Sequence, residues 1–223
     1  MPRYARFPNI IGGELMPGCR RLRHKLTRPI RRVHIVQMVP QLLPGPFTIE
    51  MYHKLGELGV FDEDDRVELL DGQIVEMTPI GAAHGACILR LNTLLARRSS
   101  AGVAVSMQNP VVLGPRWEPQ PDIAALKRPG GFGGAWLPSA RDVVLVIEVA
   151  DSSLERDRDL KIPRYARDGI PEAWLVDLND ESISLYRNPG PEGYSEVVTV
   201  TRGAILRPVH LPDVEITADE ILG

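Results

Sequence analysis

In "VLVIEVADSS", residues 144–153, an ionisable Glu148 sits in a run of apolar and β-branched residues that starts at Val143 and reads as a strand buried on both faces. A carboxylate left alone there would cost several kcal/mol, on the order of a large share of a domain's whole stability. Its charge needs a partner. Asp122, at the mouth of the strand-like "QPDIAAL", is a second carboxylate, and Lys161, at the start of the helix after Glu148, is a cation. If the two strands are neighbours, Asp122 and Glu148 converge at one end of a sheet. There, two anionic oxygens and a backbone carbonyl make a hard-cation site suited to Mg²⁺. Without an ion the carboxylates repel and one pKa rises; with it both stay ionised. Lys161 would then orient or deprotonate a water, or stabilise a pentacovalent phosphorus, which is work suited to phosphodiester hydrolysis.

Each residue also has a plainer reading. Asp122 suits a turn or cap, and an ion pair of Glu148 with Arg141, Lys161 or Arg164 would equally explain a buried charge. Lys161 would be a solvated helix-start lysine or one half of that pair. His84 falls on an apolar helical face, as a satisfied core histidine or as a contact to substrate or metal-bound water. Tyr165, four residues after Lys161, positions that lysine or contacts substrate. Arg164, with Arg156, Arg158 and Arg167, contacts phosphates or is merely solvated.

The elements that must position these residues can be read from local pattern. "PFTIEMYHKLGEL" is a helix capped by Thr48, with Met51, Leu55 and Leu58 on one face and Gly59 at its end. "RVELLDGQIVEM" is a hairpin, since Asp71-Gly72 is what a tight primed turn wants. From Ala83 to Arg98 the spacing of His84, Ile88, Leu91 and Leu95 is helical. "VAVSMQNPVVL" and "PQPDIAAL" are strands, joined through the glycine-rich loop "RPGGFGGAW" to the buried strand; that loop has no phosphate-loop pattern. "LKIPRYARDG" is a short helix with Pro163 in its first turn and Gly169 beyond its end. "EAWLVDL", "SISLYRN" and "YSEVVTV" are further strands, and "LPDVEITADEIL" closes with an extended piece and a helical turn. The sum is one α/β domain, a mixed sheet flanked by helices.

In order and interval, "RVELLDGQIVEM", His84, "QPDIAAL", "LVIEVADSS" and Lys161 in "LKIPRYARDGIPEAWLVDL" resemble the bacterial Uma-two family, endonucleases with the restriction-endonuclease-like fold of the PD-(D/E)xK superfamily. The resemblance runs from about Met38 to the carboxyl terminus. It implies a restriction-endonuclease-like nuclease domain over 38–223, with DNA as substrate and Mg²⁺ or Mn²⁺ held by Asp122 and Glu148. It also implies that Glu68 reaches the same site from the first hairpin and that Lys161 is the catalytic lysine. The superfamily's usual lysine stands two residues after the glutamate, where this chain has Ala150, so the function passes to the next helix. "EVADSS" likewise replaces the more usual "EVLSPS". The plainer reading of Glu68 is a side chain facing water, opposite Val67 and Leu69.

The bulk numbers bound the rest. Two cysteines, Cys19 and Cys87, suggest neither a disulfide framework nor a zinc site and fit a reducing compartment. No stretch approaches the roughly 18 apolar residues of a membrane span, and no secretory signal is visible, so the expected location is cytoplasmic, with no membrane partner. The net charge of −3 divides into +8 over residues 1–37 and −11 over the remainder. Residues 1–37 are expected to be a disordered tail or to precede the native start; the other reading is a nucleic-acid-binding arm. The acidic body opposes non-specific DNA affinity and keeps open a second class of function, a non-catalytic scaffold for DNA or protein. Without a G-x-S-x-G elbow, a serine hydrolase is disfavoured. A homodimer would suit double-strand cutting, though no pattern encodes one.

Overall fold

The computed structural model describes residues 46–62, 64–127, 131, 133 and 136–223. The expected boundary at residue 37 and most of the glycine-rich loop lie outside the described residues.

Helix α1 (Ile49–Glu57) begins at Thr48, whose hydroxyl accepts the Met51 N–H at 3.3 Å. It ends as the sequence suggests. Gly59 takes φ +70°, its N–H reaching Gly56 O while the Val60 N–H reaches Leu55 O, the paired bonds that close a helix through a left-handed residue. The packed face differs from expectation. Met51 and Leu58 are 46% and 68% exposed, and Ile49, Tyr52 and Leu55 pack on Phe47, Val67, Leu69 and Ile74. The Tyr52 ring brings more apolar area than Met51, and its hydroxyl is satisfied at Val67 O, 2.8 Å away.

Strands β1 (Val67–Leu70) and β2 (Gln73–Glu76) form the expected hairpin, Leu70 opposite Gln73, with Asp71 and Gly72 at φ 49° and 76° in the turn. Helix α2 (Ala82–Arg98) buries Cys87, Ile88, Leu91 and Leu95 on one stripe. A six-stranded sheet follows: β3 (Val103–Met107), β4 (Ile123–Lys127), β5 (Val143–Ala150), β6 (Glu172–Asp177), β7 (Ser182–Gly190) and β8 (Gly193–Val200), in that spatial order. Only β5 and β6 run parallel, joined over one face by a helical crossover. The chain closes with a small pair, β9 (Ile205–Leu206) and β10 (Ile216–Thr217), and helix α5 (Ala218–Leu222).

The crossover holds a feature absent from the sequence reading. Between α3 (Leu154–Arg156) and α4 (Ile162–Arg167), residues Asp157–Lys161 form a π-turn in which the Ile162 N–H bonds to Asp157 O. Pro163 has no N–H to give to the carbonyl four residues back, so the register before it is free to widen. The widened turn buries both Asp157 and Lys161.

Alternation along the strands divides the core into two layers. Ile123, Ala125, Leu145, Ile147 and Val149 pack under α2 and α5; Ala124, Leu126 and Val146 pack under the crossover with Ile162 and Tyr165. Glu148 is in phase with Val146, so its carboxylate meets the crossover at the carboxyl end of β5. Among the described residues no helix is long and apolar enough to cross a membrane.

Candidate active site

The antiparallel register sets Ile123 opposite Ile147, which places Asp122 and Glu148 side by side at one end of the sheet. The Asp122 backbone N–H donates to Glu148 Oε2 at 3.4 Å, and the Val149 N–H donates to Asp122 Oδ2 at 2.9 Å. Lys161 reaches in from the π-turn. Its Nζ lies 3.1 Å from Glu68 Oε2, 3.5 Å from Glu148 Oε1 and 3.6 Å from Asp157 Oδ1. The Gln120 backbone N–H holds Glu68 from the other side at 3.1 Å. These groups form the floor of a cleft whose walls include Arg66, Met77 to Pro79, His84, Gln108, Gln120, Asp151 to Ser153 and Arg156.

The floor is almost sealed from bulk water. Glu68, Glu148, Asp157 and Lys161 are 1%, 2%, 3% and 4% exposed. Burial pushes the Glu148 carboxyl well above its ordinary range; the Lys161 ammonium opposes this, while the charges of Asp157 and Asp122 reinforce it. Asp157 is raised too, by burial, against Lys161 and a 2.5 Å hydrogen bond from Ser153 Oγ. Lys161 moves up: burial favours the neutral amine, but Glu148, Glu68, Asp157 and Asp122 together outweigh it. These carboxylates favour the charged ammonium over the neutral amine. One cation thus faces three carboxyl groups at ion-pair distance.

Asp122 is held differently. Burial raises its pKa, yet His84, the Val149 N–H and Gln108 outweigh burial and keep it low. His84 Nε2 donates to Oδ2 and Gln108 Nε2 to Oδ1, both at 3.1 Å. His84 is raised in turn by that bond, against burial. Among the described residues its buried Nδ1 has no hydrogen-bond partner.

A family model described as "Putative restriction endonuclease", Uma2, matches residues 49–219. The chain belongs to this family. A crystal structure described as "a putative nuclease belonging to DUF820 from Anabaena variabilis ATCC 29413" matches with a TM-score of 0.57 at 16% sequence identity, covering 79% of this chain and 98% of that one. The likeness is one of fold, and the mixed α/β sheet flanked by helices is the expected restriction-endonuclease-like architecture. No curated protein matches the chain.

Within this Uma2-family chain, the structure brings Asp122, Glu148, Lys161, Glu68 and His84 together. Of the alternatives for Glu148, the ion pair is with Lys161; Arg164 is elsewhere. Glu68 does not face water, because the hairpin packs on both sides and all of β1 is buried. Ala150 is fully buried in the sheet, and Lys161 reaches Glu148 from the crossover instead.

Two candidate substrate contacts fall away from the cleft. Tyr165 is fully buried and its hydroxyl donates to Glu148 Oε1 at 2.5 Å, so it positions that carboxylate rather than Lys161 or a ligand. Arg164 bonds Asp168 and Leu113 O and lies over the Trp117 ring, 5.0 Å from its centroid, outside the cleft wall. Arg158 pairs with Asp159, while Arg156 does line the cleft.

Asp157, Gln108, Gln120 and Arg66 escaped the sequence reading. Asp157 precedes Lys161 by four residues, a helical ion-pair spacing that was visible. Gln120 and Arg66 stand two residues before Asp122 and Glu68, and Gln108 is brought in by its contact with Asp122 farther along the chain.

The donor chemistry fits a small hard cation. Among the described residues no group of three or more His, Cys, Asp or Glu stands ready as a metal cage. A pair of carboxylate side chains, with water and substrate phosphate filling the remaining positions, is how Mg²⁺ is usually held.

Proposed function

We propose that the protein is a metal-dependent nuclease that hydrolyses phosphodiester bonds in DNA. The observation carrying this reading is the buried cluster in which Glu148, Glu68 and Asp157 surround one ammonium group beside Asp122, at the floor of a cleft, in a chain of the Uma2 family. The description of the Anabaena protein as a nuclease points the same way.

Asp122 and Glu148 would hold Mg²⁺ or Mn²⁺, which when bound would polarise the scissile phosphate and lower the pKa of a water. Lys161, fixed as an ammonium, donates to a non-bridging oxygen or to the attacking hydroxide and stabilises negative charge growing on phosphorus. Glu68 and Asp157 hold the Lys161 Nζ in place and keep it protonated. Tyr165 fixes the rotamer of Glu148. Arg66 and Arg156, on the cleft wall, offset the acidic floor and are available to backbone phosphates.

The test is cleavage of matched end-labelled DNA and RNA oligonucleotides with Mg²⁺ or Mn²⁺. The expected result is cut DNA, abolished by chelation and by Glu148→Gln. RNA cut in preference to DNA would overturn the substrate assignment, and metal-independent cutting that survives Glu148→Gln would overturn the mechanism.

A further inference from the structure

Gln108 takes a left-handed backbone conformation, φ 50°, which side chains other than Asn and Asp rarely adopt. Asp71 and Glu181 take similar angles in tight turns between strands. Gln108 instead ends β3 beside the cleft, where its backbone N–H is shared between Pro121 O at 3.1 Å and Asp122 O at 3.2 Å. From that position its side-chain amide donates to Asp122 Oδ1 at 3.1 Å. Among the described residues, Asp122 thus has one oxygen fixed by His84 and the Val149 N–H and the other by Gln108 alone. Backbone strain kept at a cleft, in a residue that grips a candidate metal ligand at both main chain and side chain, is the signature of a conformation retained for function.

We infer that Gln108 is a positioning residue, held in a strained backbone conformation so that its amide fixes the Asp122 carboxylate for the metal and the reaction. The inference rests on the nuclease reading of the same site. Outer partners of this kind orient a ligating carboxylate before the ion arrives, and their loss weakens both metal affinity and turnover.

Three variants separate strain from function. Gln108→Ala and Gln108→Gly both remove the amide, but only glycine relaxes the backbone. Gln108→Asn tolerates the left-handed angle while its amide falls one methylene short. Measured without metal, the glycine variant should melt no lower than the alanine variant, the reverse of the usual order away from positive φ. All three should need about 10–100-fold more Mn²⁺ for half of the metal-induced rise in Tm, and should lose kcat in the same range with KM for DNA unchanged.

Wild-type kcat and metal midpoint in any of the three would overturn the positioning role, as would a raised KM with intact kcat, which would make Gln108 a substrate contact. An alanine variant melting above the glycine variant would overturn the strain. A wild-type protein with neither cleavage nor metal-induced stabilisation would instead overturn the nuclease reading and this role with it.

Discussion

Lys161 Nζ lies 3.1 Å from Glu68 Oε2, an ion pair between the crossover and the first hairpin with both side chains at most 5% exposed. Glu148 and Asp157 sit slightly farther from the same nitrogen. Removing the lysine therefore strands several buried carboxylates at once. Lys161→Met should cost about 3–5 kcal/mol in urea unfolding, as expected when one partner of a buried ion pair is deleted. Adding Glu68→Gln should recover part of that loss without restoring cleavage. A Lys161→Met protein as stable as wild type would contradict the packing of charge described here.

Stability should depend on pH in a direction set by the cluster. Glu148 is raised above its ordinary 4.5 and His84 above 6.5. A group raised on folding contributes fully below its unfolded value, and the contribution is lost as pH rises through the folded one. Asp122 is lowered, so its contribution is present above 3.8 and fades only in acid. Metal-free protein should thus lose Tm as pH rises above 4.5, through Glu148, and further above 6.5, through His84. Glu148→Gln should flatten that slope. A divalent ion displaces the proton from Glu148, so the Tm gained from Mn²⁺ should grow as pH rises. A metal effect that shrinks with rising pH would count against Glu148 as a ligand.

Tyr165→Phe removes one hydroxyl and little volume. The 2.5 Å bond to Glu148 is charge-assisted, so its loss should cost about 1–3 kcal/mol and lower kcat while KM for DNA holds. A raised KM would return Tyr165 to substrate contact.

Arg66 and Arg156 line the cleft from the hairpin entrance and from α3. If each meets a backbone phosphate, Arg66→Gln and Arg156→Gln should each lower the slope of log Kd against log salt by about 1, measured with Ca²⁺ to hold off cleavage. Arg202→Gln, on a surface pair with Glu181, should leave the slope alone. Equal slopes for all four proteins would remove the arginines from the interface.

Much of this arrangement was legible because it is local or follows from one pairing. Asp71-Gly72 dictates its turn, Thr48 its cap, and the unbroken apolar run of β5 makes Glu148 conspicuous. Once β4 and β5 are neighbours, Asp122 has nowhere else to be. The face of α1 was misread because periodicity alone does not say that Tyr52 outweighs Met51. The π-turn depends on how Pro163 releases the upstream carbonyls, and Arg164 lost its assigned role to Trp117, Leu113 and Asp168, partners fixed only by the fold. Gln108 carries no local signal at all; its backbone angle and its grip on Asp122 exist only in three dimensions.

The most direct test of the central claim is nicking of supercoiled plasmid by purified protein with Mg²⁺ or Mn²⁺, beside Asp122→Ala, Glu148→Ala and Lys161→Ala proteins shown by circular dichroism to be folded. Metal-dependent conversion to open-circular or linear DNA by wild type, lost in all three variants, is the predicted result. Cleavage that persists in the folded variants, or a wild type that neither cuts nor gains thermal stability from either metal, would contradict the account and favour a non-catalytic scaffold built on the same sheet.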